Sequence, residues 1–359
     1  MKVNLIRKIL EELFFAFLVL SILEIGSREL LYIGEIRNVI LKGENDIIAR
    51  LRWVDRRKRN IQITFPFDKF DPTKGWVTIP NASNILYFEN KLVSSNSKGI
   101  RGTVEYQYAR DKKKLRILFL GDSFTFGDEV DDNETYPYYL QQMLPNTEVI
   151  NLGVHGYGHD QMLIYLKEEG VKYKPDIIVL GYVGADTHRN MREFEDYAKP
   201  RFKLMNNKLE VCNFPVPTPE AILMLEPWRS RFIDLLNILK FDIYFKSESY
   251  KKEKDRITKA ILTDLATTAK GIDAVPVFVY LDSARNKEYS PGLTKEEKRF
   301  LSRCDEILVN CTFVRSKIYS ARMSGVKIKD YGHFDSETNR LVALGIKEYL
   351  FKNGFLKKD

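Results

Sequence analysis

From residue 115 onward, short uninterrupted apolar runs alternate with segments of helical period. The runs "LRILFL" (115–120), "EVINL" (148–152), "DIIVLGYV" (176–183) and "AVPVFVYL" (274–281) are bounded by polar turns, as strands buried on both faces should be. Helices are predicted over "ETYPYYLQQML" (134–144), "DQMLIYLKEEG" (160–170) and "SETNRLVALGIKEYLFKNG" (336–354), and a further short strand over "GVKIKD" (325–330). Strands alternating with helices imply crossover units, so residues 113–359 read as a doubly wound α/β domain with a parallel sheet. An insertion at about 191–270 interrupts it. Its proline-rich part cannot be a central strand, and it reads as a lid, a substrate wall or a surface decoration.

The pattern before residue 113 is different. Residues 31–112 mix β-like runs ("NIQITF", "GWVTIP", "NILYF") with Pro, Gly and Asn and show no long helical period, which predicts a small irregular or β-rich module. Residues 1–30 place Lys2, Arg7 and Lys8 ahead of the uncharged run "LFFAFLVLSIL", closed by Glu24 and Arg28. That run falls short of the ~20 residues of a comfortable transmembrane helix, and no small-x-small cleavage site follows it. The reading is an uncleaved signal-anchor or membrane helix, with the leading positive charge keeping this end in the cytoplasm. The alternative is an amphipathic helix packed on the protein's own body.

Composition narrows this picture only slightly. The chain of 359 residues has the makeup of a globular protein, and its net charge of +8 comes from dispersed lysines with local density at "RWVDRRKRN" (52–60) and "KSESYKKEKDR" (246–256). No zinc-finger spacing or aromatic RNA-binding motif accompanies them, so nucleic acid is not an expected partner. Three cysteines without CxxC spacing argue against a zinc ribbon. Cys304 and Cys311 are read as inert buried thiols, with a bridge between them as the alternative.

In an open α/β sheet, ligands sit beyond the carboxyl ends of the strands. Four polar loops lie there: "GDSFTFG" (121–127), "GVHGYGHD" (153–160), "GADTHRN" (184–190) and "DYGHFD" (330–335). All four histidines of the chain, His155, His159, His188 and His333, fall in these loops. A serine becomes a nucleophile only when a base takes its proton and a carboxylate orients that base. Asp330 and His333, three residues apart around Gly332, have the spacing to direct Nε2 at Ser123. The motif is neither the GxSxG elbow nor a phosphate loop. The amides of Ser123 and Gly153 are candidate oxyanion donors.

These residues resemble the SGNH/GDSL hydrolase superfamily, in its bacterial membrane-anchored form. "GDSFTFG" is similar to the first conserved block, "NLGVHGYG" to the second and "DYGHFDSETNRLVA" to the last, over roughly residues 115–355. The resemblance implies a three-layer α/β/α, flavodoxin-like doubly wound sheet, with Ser123 as nucleophile, His333 as base and acid, Asp330 as its carboxylate, and Ser123 and Gly153 as oxyanion donors. Asp122 and Asp186 are expected to support these groups from behind. The third block departs from the family: where an asparagine donor is expected, "GADTHRN" has Ala185, and Arg189 or Asn190 is the candidate substitute.

The implied activity is hydrolysis of O-acyl esters on an envelope glycan, a lipid or a small molecule, without a cofactor. Two alternatives are O-acyl transfer to a cell-surface polysaccharide and a catalytically impaired domain that binds a glycan or a partner. A metal-dependent reading would use Asp122, His155, His159, Asp186 and His333, but no HExxH set supports it. The expected location is the bacterial membrane, single-pass with the catalytic domain outside, the alternatives being secreted or cytoplasmic.

Overall fold

The computed structural model describes residues 2–33, 45–58, 67–87, 90–281, 292–329 and 331–356. The chain starts with helices α1 (Lys2–Tyr32) and α2 (Asp46–Lys58). Two antiparallel strand pairs follow, β1 (Asp68–Asp71) with β2 (Gly75–Thr78) and β3 (Ile85–Tyr87) with β4 (Lys91–Val93). The alternating part then runs β5 (Leu115–Gly121), α3 (Ser123–Phe126), α4 (Tyr136–Met143), β6 (Thr147–Gly153), α5 (His159–Glu168), β7 (Ile177–Tyr182) and α6 (Asp186–Arg189). The insertion contributes the hairpin β8 (Arg201–Met205) and β9 (Lys208–Cys212) and helices α7 (Pro219–Leu225), α8 (Arg231–Phe245) and α9 (Glu248–Lys270). The chain closes with β10 (Val275–Tyr280), α10 (Lys295–Ile307), β11 (Asn310–Phe313), α11 (Arg315–Met323) and α12 (Ser336–Lys352).

Two compact units result: Met1–Ile61 with Thr218–Lys252, and Gln62–Pro217 with Glu253–Asp359. This cuts the chain differently from the sequence pattern, because part of the insertion joins the amino-terminal helix. In that first unit Glu24 of α1 reaches the start of α8, accepting from Ser230 Oγ (2.6 Å) and from the amides of Arg231 and Phe232. These bonds, with Arg28 nearby, outweigh the cost of burial and hold the Glu24 carboxyl down at about 2. Arg50 of α2 pairs with Asp234 (2.8 Å) and Glu226 (3.2 Å), and Leu31, Ile48 and Ile238 form the apolar contact. Helix α2 lies where no helical period was expected. Its apolar residues, among them Ile47, Ile48, Leu51, Trp53 and Val54, are interrupted by charge at almost every turn, so no clean helical period stands out.

The second unit holds a five-stranded parallel sheet in the order β6-β5-β7-β10-β11. Numbered by appearance within the sheet this is 2-1-3-4-5, the flavodoxin-like winding, which reverses between β5 and β7. Ile117, Phe119, Val179 and Val277 pack on one face against Tyr136 and Leu140 of α4 and Val342, Ile346 and Leu350 of α12. On the other face Leu118 and Leu152 meet Leu166 of α5 beside Gly170. Both faces are thus covered, as the continuous apolar runs require. The fifth strand is β11 rather than "GVKIKD", whose residues 325–329 form no strand. The run "NIQITF" lies outside the described residues. Cys304 and Cys311 form a disulfide, with Cα atoms 6.3 Å apart, in place of two free thiols.

Candidate active site

Strand β5 ends at Gly121, and the chain turns at once into α3, capped by Asp122, whose Oδ1 accepts from the amide of Phe124 (3.0 Å). This places Ser123 at the first helical position, on the carboxyl edge of the sheet, where the winding reverses. Gly153, beside Gly121 in the sheet register, lets the short helix sit down on the strand end: a Cβ there would lie 2.4 Å from the amide nitrogen of Phe126. The Gly153 amide donates to Asn151 Oδ1 (2.9 Å), so this residue serves close packing, and its expected role as an oxyanion donor is not supported by its geometry. The amides of Ser123 and of Gly156, farther along the same loop, make no hydrogen bond among the described residues.

Ser123 is 5 % exposed, and its hydroxyl lies 2.8 Å from His333 Nε2. The imidazole is braced by Phe124, at 5.0 Å between ring centres, which itself packs on Phe334. His333 Nδ1 is 3.0 Å from Glu129 Oε1, and the His333 amide donates to Glu129 Oε2 at 3.2 Å. Lys329 Nζ adds a third bond to Glu129 at 2.7 Å. Burial works against the charged form of Glu129, but Lys329 and His333 overcome it and leave its carboxyl below the usual range. An ionised Glu129 fixes the imidazole proton on Nδ1, so Nε2 is bare and can accept from the serine. Gly332 is needed for this contact. Its φ is +68°, and a Cβ would lie 2.8 Å from Glu129 Oε2.

Asp330, the carboxylate expected from the resemblance, lies outside the described residues. Glu129 was not anticipated, although it stands two residues beyond the quoted motif, in "GDSFTFGDEV". It adopts φ +68°, a left-handed conformation uncommon for a non-glycine residue. Buried Arg101 pins the segment that carries it, through Asp132 Oδ1 (2.7 Å) and the carbonyl of Val130 (2.8 Å).

The loop after β7 is bound inward. Arg189 Nη1 donates to Asp186 Oδ1 (2.7 Å), Asp122 Oδ2 (3.1 Å) and the carbonyl of Tyr157 (3.3 Å), tying three loops together. Arg189 thus joins Asp122 and Asp186, the two carboxylates expected behind the site. Asn190 is fully buried, and its amide donates to His159 Nδ1 (3.2 Å) and Thr258 Oγ1 (3.1 Å), so it holds the loop together and has no donor left for an oxyanion. His155 pairs with Asp68 (2.9 Å) and stands 3.0 Å from the Tyr87 hydroxyl. His155 and His159 thus bond groups other than those that hold His333, and among the described residues no group of His, Cys, Asp and Glu could hold a metal ion.

Fold and site together define a flavodoxin-like α/β protein with a Ser–His–Glu chain at its switch point. The sequence matches no protein-family model and no curated protein. Among solved structures it is similar to a two-domain esterase, CEX, active on acetylated mannans (14 % identity, 68 % of this chain and 51 % of that one, TM-score 0.40). It is also similar to the psychrotrophic esterase EstA from Pseudoalteromonas sp. (12 %, 68 % and 100 %, TM-score 0.39). A member of the lipolytic protein G-D-S-L family from Veillonella parvula is a third (12 %, 65 % and 97 %, TM-score 0.37). These are distant likenesses.

Proposed function

We propose that the protein is a serine-dependent ester hydrolase that removes O-acyl groups from a glycan, a lipid or a small ester. The observation that carries this reading is the continuous chain from Ser123 Oγ through His333 to Glu129, with contacts of 2.8 and 3.0 Å. His333 Nε2 takes the serine proton as Oγ attacks the acyl carbon, and Glu129 stabilises the imidazolium that forms. The same Nε2 returns the proton to the departing alcohol, leaving an acyl-serine that water then hydrolyses. The amide of Ser123, at the first helical position, is the donor offered to the tetrahedral oxyanion, and Arg189 acts by holding Asp122 and so the helix that bears Ser123. No cofactor enters this scheme.

Two features support a location at the outer side of a membrane. The disulfide between Cys304 and Cys311 fits an oxidising compartment. Helix α1 exposes Leu13, Phe14, Phe17 and Ile22 by more than half of their surfaces, which fits apolar contact with lipid, although no described helix is long and apolar enough to cross a membrane. The test of the activity is labelling with a fluorophosphonate and mapping of the adduct. Adduct on Ser123 in the wild type and none in His333→Ala is expected; an unlabelled wild type that also releases no p-nitrophenol from short esters would point to a binding domain instead.

A further inference from the structure

Beside the nucleophile stands a second carboxylate that the Ser–His–Glu chain does not use. Asp128 is 3 % exposed. Its amide donates to the carbonyl of Ser123 (3.0 Å), so it rides on the turn that carries the nucleophile. Its Oδ2 lies 3.9 Å from His333 Nε2, on the side of the ring that faces Ser123 rather than Glu129, and its Oδ1 is buried with no hydrogen-bond donor among the described residues. Burial pushes its carboxyl up to about 6, against the pull of His155, His333 and Arg101, which leaves it charged at neutral pH. A buried, charged oxygen without a donor costs ~1–3 kcal/mol or more. The other oxygen, Oδ2, faces Nε2 across 3.9 Å, a gap that a single small donor can bridge.

We infer that Asp128 holds and orients the water that deacylates Ser123. The inference rests on the hydrolase reading given above. In the acyl-enzyme, a water bridging the gap between Nε2 and Asp128 gives one proton to Nε2 and keeps its other hydrogen bonded to the carboxylate. Its oxygen adds to the acyl carbon. When the tetrahedral adduct collapses, the bond from carbon to Ser123 Oγ breaks, His333 returns the proton to Oγ, and the carboxylic acid leaves with the water's oxygen. Asp128 accepts a hydrogen bond throughout and takes no proton. A simple alcohol in the same place has a single hydroxyl hydrogen, which must go to Nε2, so Asp128 stays unpaired. The carboxylate therefore favours water over an alcohol acceptor, and hydrolysis over transfer.

The test separates the two half-reactions by stopped-flow with p-nitrophenyl acetate. Asp128→Asn keeps the shape and one acceptor; Asp128→Ala removes both oxygens. The expected result is an acylation burst within about threefold of the wild-type rate and a steady-state turnover reduced by about 10- to 100-fold, more in Ala than in Asn. The share of acetyl groups captured by added methanol should rise as well. A steady-state rate that is unchanged, or that falls in parallel with the burst, overturns the proposal. Fluorophosphonate uptake at Ser123 in each variant shows that fold and triad are intact. A wild type that takes no label sinks the hydrolase reading itself, whereas labelled variants with normal deacylation sink only the role of Asp128.

Discussion

Two loops flank the switch point of the sheet and are equally rich in polar side chains, yet they do opposite work. The turn after β5 presents Ser123, Asp128 and Glu129 to one another and to His333. The loop after β7 spends its polar atoms on the protein: Asp186 on Arg189, Asn190 on His159 and Thr258. What distinguishes a site from a scaffold here is whether donors and acceptors still have capacity left, since residue type alone is the same in both.

The largest effect that would test this contrast is loss of the nucleophile or its base. Ser123→Ala and His333→Ala should each lower kcat/KM on p-nitrophenyl acetate by about 10⁴-fold or more, with little change in thermal stability. Next comes Glu129→Gln, which keeps the shape but removes the charge that fixes the Nδ1 proton. A loss of roughly 10³–10⁴ in kcat is expected. Asp330→Asn measured beside it should change the rate far less; a reversed order would return the orienting role to Asp330.

Substitutions in the loop after β7 should fall mainly on stability. Asn190→Ala strips partners from His159, Thr258 and the Asp160 amide, which costs about 1–3 kcal/mol in chemical denaturation and leaves kcat of the folded enzyme unchanged. Arg189→Ala leaves Asp122 and Asp186 facing each other without a cation. It should destabilise by roughly 3–5 kcal/mol and also lower kcat, because Asp122 caps the helix of Ser123. If Asn190→Ala lowered kcat as much as Glu129→Gln does, the division between the two loops would be wrong.

The sheet was legible in the sequence wherever burial on both faces left an unbroken apolar run, as in β5, β6, β7 and β10. It was not legible at β11, where "NCTF" is half-buried and four residues long. Ser123 could be picked out because it follows directly on a sheet strand, and His333 because the histidines are few and it stands in a polar turn beside a glycine, although that turn follows helix α11 and not the expected strand. Glu129 could not, because the residue that contacts an imidazole 204 positions away is chosen by tertiary approach, here through a glycine and a left-handed turn. Gly153 shows how little residue type alone decides. A glycine after a strand can serve an incoming substrate or an incoming helix; the atoms 2.4 Å from its missing Cβ show the helix, and its amide is turned to Asn151 Oδ1.

The smallest expected effect lies beneath the two loops, in their supporting histidines. His155, behind the turn of Ser123, is opposed by burial but held up at about 9, chiefly by Asp68, and stays charged. His159, behind the loop after β7, is driven down to about 3 by burial, with Arg303 and Arg189 adding to it, and stays neutral. In the unfolded chain both titrate near 6.5. Between about 6.5 and 9 the folded state holds a proton at His155 that the unfolded chain has lost, so the stability this group contributes declines as pH rises through that window. Between about 6.5 and 3 the unfolded chain binds a proton that His159 refuses, so stability declines as pH falls. Tm should therefore peak near neutrality and drop by several degrees on either side. His155→Gln should flatten the alkaline limb alone and His159→Gln the acid limb alone. A wild-type Tm that holds constant from pH 6.5 to 9.5 would mean that His155 is neutral, and that the turn of Ser123 rests on the same uncharged support as its neighbour.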